Sequence, residues 1–257
     1  MRATCWAAAM AALLPLPLAA PSLAAQSLAD QVRRAPDGAV RMSFAAREGV
    51  CGSGPGNITI LSEDADAEWE QDCDRGPVRL SLRVRGGRVT ESDLYVGGRW
   101  RTTRDRVTDL GLVPAGQAAD FLLALAPEIA DGEEGGELVT AATLADSAVV
   151  WPQLLRLARD TRLREETRRQ AVFWLGQAAS TEAVRGLDSL VNDGGGDIEI
   201  RKQAVFALSQ RPDEEGVPAL IRIARTHRHP ELRRQALFWL GQSGDPRALT
   251  LFEEILR

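Results

Sequence analysis

The chain has 257 residues and a formal net charge of −5, with 31 Lys and Arg against 36 Asp and Glu. That mildly acidic balance excludes the strongly basic footprint of a nucleic-acid binder. Two histidines and three cysteines leave few ligands for a structural metal.

The first residues speak to compartment. Arg2 is followed by an apolar run from Trp6 to about Ala20, broken by Pro15 and Pro17 and closed by Ser22, Ala24 and Ala25. This is the pattern of a secretory signal peptide over residues 1–25, cleaved near Ala24 or Ala25. It is too short and too rich in proline for a span of about 20 apolar residues, and no later stretch is long enough either. The expectation is an exported protein, periplasmic or extracellular, with no stable membrane insertion after cleavage. Loss of Arg2 takes the charge to about −6. Cys5 leaves with the signal, so Cys51 and Cys73 remain as an expected disulfide in an oxidising compartment.

Residues 26–115 read as a small β-rich domain. Val78, Leu80, Leu82 and Val84 alternate with Arg79, Ser81, Arg83 and Arg85, a period of two that predicts a strand with one apolar and one basic face. Gly86-Gly87 predicts a tight turn, and a return strand runs from about Val89 to Val96. Further strands are expected around Val40, Met42 and Phe44 and over 58–61. The glycine-rich Cys51–Asn57 lacks the Lys-Ser/Thr of a phosphate-binding loop and reads as a turn. The basic face of Arg79, Arg83 and Arg85 reads as solvated hairpin surface.

Residues 116–136 read as a helix and linker. Ala118, Phe121, Leu122, Leu125 and Ile129 keep helical spacing, and Asp131–Gly136 (DGEEGG) is expected to break the chain.

Residues 137–257 repeat. RRQAVFWLGQ (168–177), RKQAVFALSQ (201–210) and RRQALFWLGQ (233–242) place Gln170, Gln203 and Gln235 at spacings of 33 and 32 residues. The intervening segments also match, with Pro152 and Pro218 a double period apart. Each unit is therefore two short helices and a turn, stacked into an array. Residues 138–147 open it as a degenerate second helix, and RALTLFEEILR closes it with its charges outward.

The apolar-Arg-x-x-Ala-x-x-x-Leu core recurs as Thr167-Arg168 with Ala171 and Leu175, Ile200-Arg201 with Ala204 and Leu208, and Leu232-Arg233 with Ala236 and Leu240. In these residues the C-terminal half resembles the HEAT repeat, in particular the short bacterial type related to phycobilisome lyase repeats. The resemblance implies a right-handed α-α superhelix, so the expected fold is α+β: a β-rich N-terminal domain followed by a HEAT-like solenoid. It also implies a structural role for Arg168, Arg201 and Arg233, bonding between neighbouring units. A repeat brings no activity with it.

On a helical wheel, Thr167, Arg168, Ala171, Val172 and Leu175 share the core arc. The opposite arc carries four columns toward the concave surface, where solenoids bind. These are Arg169, Lys202 and Arg234; Gln170, Gln203 and Gln235; Phe173, Phe206 and Phe238; and Gln177, Gln210 and Gln242. They are the candidate partner-binding residues. Aromatic rings rimmed by amides and charges have the composition of an interface centre. The alternative is that the Phe rings cover one another, with Glu166, Glu199 and Glu231 pairing the basic column as ordinary surface ion pairs.

No catalytic pattern emerges. G-x-S-x-G is absent, no Ser/His/Asp set can be assembled, and His227 and His229 read as a surface turn before a helix that opens at Pro230. The function read from sequence is a non-enzymatic, exported adaptor or scaffold for a protein or peptide, with no cofactor, no metal and no nucleic acid. The alternatives are an enzyme or ligand carrier with a site where the N-terminal domain meets the solenoid, near Trp100 and Trp151, or a structural subunit of an envelope assembly.

Overall fold

The computed structural model describes residues 27–54, 56–60, 73–178 and 180–256. The expected signal peptide lies outside them. The architecture is α+β, a small sheet-containing N-terminal region followed by a HEAT-like helical solenoid.

Helix α1 (Leu28–Arg34) opens the chain, with Ser27 accepting the Asp30 amide as its N-cap. Strands β1 (Gly38–Phe44), β4 (Val78–Arg85), β5 (Arg88–Val96) and β6 (Val107–Leu112) form one sheet in the order β5-β4-β1-β6. β1 runs antiparallel to β4 and parallel to β6. The period of two in β4 is realised, with Val78, Leu80, Leu82 and Val84 fully buried and the intervening side chains facing outward. Gly86 and Gly87 both take positive φ in the hairpin turn. Strands β2 (Val50–Gly52) and β3 (Ile58–Ile60) pair separately, with Cys51 opposite Thr59. Cys51 and Cys73 lie at bonding distance, S–S 2.02 Å.

The outer face of the sheet is not simply solvated. Arg83 pairs with Glu91 at 2.7 Å and Asp105 at 2.8 Å, and Arg41 and Arg79 lie 5.0 and 5.5 Å from the Trp100 ring centre. The segment after β5 folds back over the basic residues and supplies their partners.

Among the described residues nine α-helices follow in hairpins: α2 (Ala115–Leu125) with α3 (Gly132–Thr143), α4 (Trp151–Arg159) with α5 (Glu165–Gln177), α6 (Thr181–Val191) with α7 (Ile198–Ser209), α8 (Asp213–Thr226) with α9 (Pro230–Ser243), then α10 (Pro246–Leu256). The described array therefore begins one helix earlier than the repeat pattern suggests. DGEEGG does not break the chain; it starts α3. Asp131 caps the helix by accepting from the Glu133 and Glu134 amides, and two carboxylates in the first turn favour the helix dipole. Gly135 is required by packing, since a Cβ there would stand 2.7 Å from Thr167 Oγ1 of α5. The sequence signal for a loop was a signal for close helix approach.

The apolar seam runs without interruption from Leu28 and Val32 through the inner sheet face to Ala248 and Leu251. Each fully buried aliphatic chain in it contributes roughly 1.5–3 kcal/mol over an exposed one. At the far end α10 leaves Leu249, Ile255 and Leu256 exposed, so its outer surface is partly apolar rather than wholly charged.

Candidate functional site

The second helices α3, α5, α7 and α9 pack on one another more closely than the first helices do. The candidate columns lie on this more closely packed row. On the core arc, Thr167, Arg168, Ala171, Val172 and Leu175 are all buried, as the wheel requires.

The Arg column meets the expectation of a bond between units at Arg168, whereas the Nε bond of Arg201 stays within its own helix pair. Arg168 donates through Nε to the Ala158 carbonyl and through Nη1 to Asp197, the N-cap of the next second helix. Arg201 donates through Nε to the Val191 carbonyl, ten residues back like its counterpart. Arg233 instead donates to the carbonyls of His227 and Arg228 and is half-buried.

The outward columns are more mixed. Phe173 is 36% and Phe238 56% exposed, while Phe206 is half-buried against the Trp239 ring, 5.0 Å centre to centre. Among the described aromatic pairs, Phe packs on Trp and not on Phe: Phe173 on Trp174 at 5.2 Å and Phe238 on Trp239 at 4.9 Å, both edge-on. Gln170 is committed to the stack, donating to Thr140 Oγ1 of α3 at 2.8 Å. Gln203 and Gln235 are half-buried. Gln210 and Gln242 line a small cavity of about 130 Å³ beside Trp239. Lys202 pairs with Glu199 and Arg234 with Glu231, but Arg169 lies nearest Glu165, at 3.9 Å, rather than Glu166. All of these pairs are solvent-exposed and individually weak.

Trp174 is the residue that sequence reasoning undervalued. The wheel puts it on the border; the structure buries it to 7% and gives it the centre of the junction with the N-terminal half. Its Nε1 donates to Thr140 Oγ1, and the Arg47 guanidinium lies 5.7 Å from its ring centre. The junction itself is bonded. Arg47 N donates to the Leu144 carbonyl, Asp146 N to that of Ala45, and Ser92 donates through N and Oγ to Glu134. Trp174 lines two cavities there. One, about 390 Å³, lies between Ile58, Ile60 and Leu94 on one side and Glu137, Glu166 and Gln170 on the other. The second, about 370 Å³, holds Arg47, Trp151 and Gln177. Trp100 belongs to neither and sits on the outer sheet face, so the two tryptophans do not share a crevice.

Two ionisable groups stand out at the junction. Burial pushes Glu137 up to about 7, with the charges of Glu134 and Asp93 adding to the effect and hydrogen bonds from Ser92 and the Leu94 backbone opposing it. Burial also lowers Arg47 from its ordinary value. Arg47 Nε is buried without a hydrogen-bond partner.

His227 is not a surface residue. It is 9% exposed at the end of α8, where its Nδ1 accepts the His229 amide and its Nε2 lies 3.2 Å from the Val191 carbonyl. His229 caps α9, with Pro230 at the first helical position. Among the described residues no group of three or more His, Cys, Asp or Glu is placed to hold a metal. No described helix is long and apolar enough to cross a membrane.

The periodic helix pairs, the buried Ala and Leu columns and the Arg168–Asp197 bond between units all point one way, and a family model for HEAT repeats matches residues 189–257. The C-terminal part of this chain is a HEAT-repeat region. The match spans the end of α6 through α10 and includes the second and third copies of the repeated helix. The N-terminal region is not matched, and no curated protein matches the chain. HEAT repeats fit a protein-interaction scaffold in general.

Proposed function

We propose that the chain is an exported, non-enzymatic scaffold that binds a protein or peptide along the second-helix row of its HEAT region, over α5, α7 and α9. The observation that carries this reading is the pair of exposed rings Phe173 and Phe238 at equivalent positions of the repeat, each set on a Trp and flanked by Arg169 or Arg234. Isolated exposed apolar residues are ordinary, but aromatics recurring in register with Arg and amide neighbours match the composition of interface centres. Among the described residues, the N-terminal half packs on α3 and reaches Trp174 of α5. Export is supported by the apolar N-terminal pattern and by the Cys51–Cys73 pair.

The test replaces Phe173 and Phe238 with Ser together. Phe206 is left in place because it packs under Trp239. The expected result is loss of the partners captured by the wild-type protein with an unchanged far-ultraviolet circular dichroism spectrum. An identical partner set from wild type and variant refutes the proposal. A mature N-terminus near Ala24, read by mass spectrometry, tests export.

A second reading, a ligand carrier with its site at the junction, is favoured by the cavity of about 370 Å³ between Arg47, Trp151 and Trp174. Its size falls within the ordinary range of small-molecule sites. Saturable quenching of tryptophan fluorescence by an aromatic carboxylate, lost in Arg47→Gln, would favour it over the scaffold reading.

A further inference from the structure

The repeat itself exposes a missing charge. Arg168 is buried, and two partners complete its guanidinium: the Ala158 carbonyl on Nε and the Asp197 carboxylate at 3.2 Å from Nη1. Arg201 is the same residue one unit later, 8% exposed and bonded through Nε to the equivalent carbonyl, Val191. The position equivalent to Asp197, the N-cap of the following second helix, is His229. Among the described residues, no carboxylate therefore takes that place beside Arg201.

Its nearest polar neighbour does not answer it either. Arg201 Nη2 lies 3.3 Å from His227 Nε2. His227 Nδ1 accepts the His229 amide, so the imidazole proton is on Nε2, and Nε2 donates to the Val191 carbonyl, which can only accept. Two N–H groups then face each other, and no hydrogen bond forms between them. The Arg201 guanidinium is more than nine-tenths buried and has no ion-pair partner among the described residues, and a buried charge without a counter-charge is costly.

Arg201 lines an open cavity of about 520 Å³, together with Asn192, Gly194, Arg228 and His229. Its ionisable lining is basic or neutral. The α9 N-terminus adds partial positive charge at the same rim. We propose that this cavity is an oxyanion site, in which a carboxylate or phosphate takes the place that the Asp197 carboxylate holds beside Arg168. The ion sits against the outer edge of Arg201, with Arg228 closing the site from the solvent side. The source is either a free ion or an acidic side chain.

The experiment uses the full chain and thermal unfolding in phosphate or acetate, each against chloride at matched ionic strength, with an acetylated Asp-containing tetrapeptide as the side-chain source. Wild type is expected to gain about 2–4 °C at saturating phosphate or acetate, the response to roughly 1 kcal/mol of binding in a chain of this size. A response to the peptide alone assigns the source to an acidic side chain. His229→Asp restores the repeat's own carboxylate: it is expected to raise the midpoint by a similar amount without ligand and to abolish the anion response. Arg201→Met is expected to lose the response as well. If that variant does not fold, His229→Asp decides alone. An equal anion response in wild type and His229→Asp, or no response of wild type to any of the three probes, overturns the proposal.

Discussion

Replacing Glu137 with Gln removes a carboxyl whose protonated form burial at the junction favours. Ser92 Oγ lies 2.7 Å from Glu134 and 3.2 Å from Glu137, so its single hydroxyl proton serves the nearer Glu134 better than Glu137. That leaves burial, which favours the uncharged carboxyl, as the dominant influence on Glu137. Raising a carboxyl from its ordinary 4.5 to about 7 corresponds to at most about 3.4 kcal/mol, at ~1.36 kcal/mol for each step of one in pKa. Glu137 is only half-buried, and solvent screening leaves on the order of 1–2 kcal/mol of that. The fold prefers the protonated form, so this stability is fully present below about pH 4.5 and is lost as pH rises through about 7. Gln keeps the shape and a donor without ionising. Urea unfolding of wild type and Glu137→Gln, followed by tryptophan fluorescence from pH 4.5 to 8.5, isolates the effect, because other titrating groups cancel in the difference. The variant is expected to match wild type at pH 4.5 and to exceed it by about 1–2 kcal/mol at pH 8. A difference that stays flat across this range would falsify the assignment of Glu137 as a protonated junction carboxyl.

Two further predictions concern the frame around these sites. Arg168→Ala deletes the bonds to Ala158 and Asp197 and should cost about 2–4 kcal/mol in urea, with Arg168→Lys recovering little because it lacks the fork that reaches both partners; full recovery by Lys would contradict the geometry. Replacing Cys51 and Cys73 together with Ser opens a closure of 22 residues and should lower stability by about 3 kcal/mol, read as a midpoint shift that reductant reproduces in wild type and does not enlarge in the variant.

Local periodicity made much of this molecule legible. The alternation in β4 named its buried face, because side chains alternate across a strand whatever the strand packs against. The repeat period named the helix pairs and the core arc, down to the burial of Thr167 and Arg168 among the leucines. Other readings failed where a neighbour unseen in local sequence decides. DGEEGG reads as a loop by composition, yet its glycines are the contact between α3 and α5. The Ala207 that makes the middle copy look degenerate is also a contact, since a Cβ on Gly176 would already stand 2.9 Å from its own. The Phe column was expected to be uniform, but the Trp partners make Phe206 interior and leave Phe238 open.

The amino-acid pattern alone determined that the C-terminal half is a stack of helix pairs, that a β-rich region precedes it, and that Cys51 and Cys73 belong together. These are consequences of spacing, which each segment carries within itself. Only the tertiary structure decided that the sheet and the solenoid share one core, that Trp174 sits at their junction, and that Arg168 finds a carboxylate where Arg201 does not. Those outcomes depend on which groups from distant segments meet in a low-dielectric interior, and a buried charge is defined by its neighbours rather than by its place in the repeat.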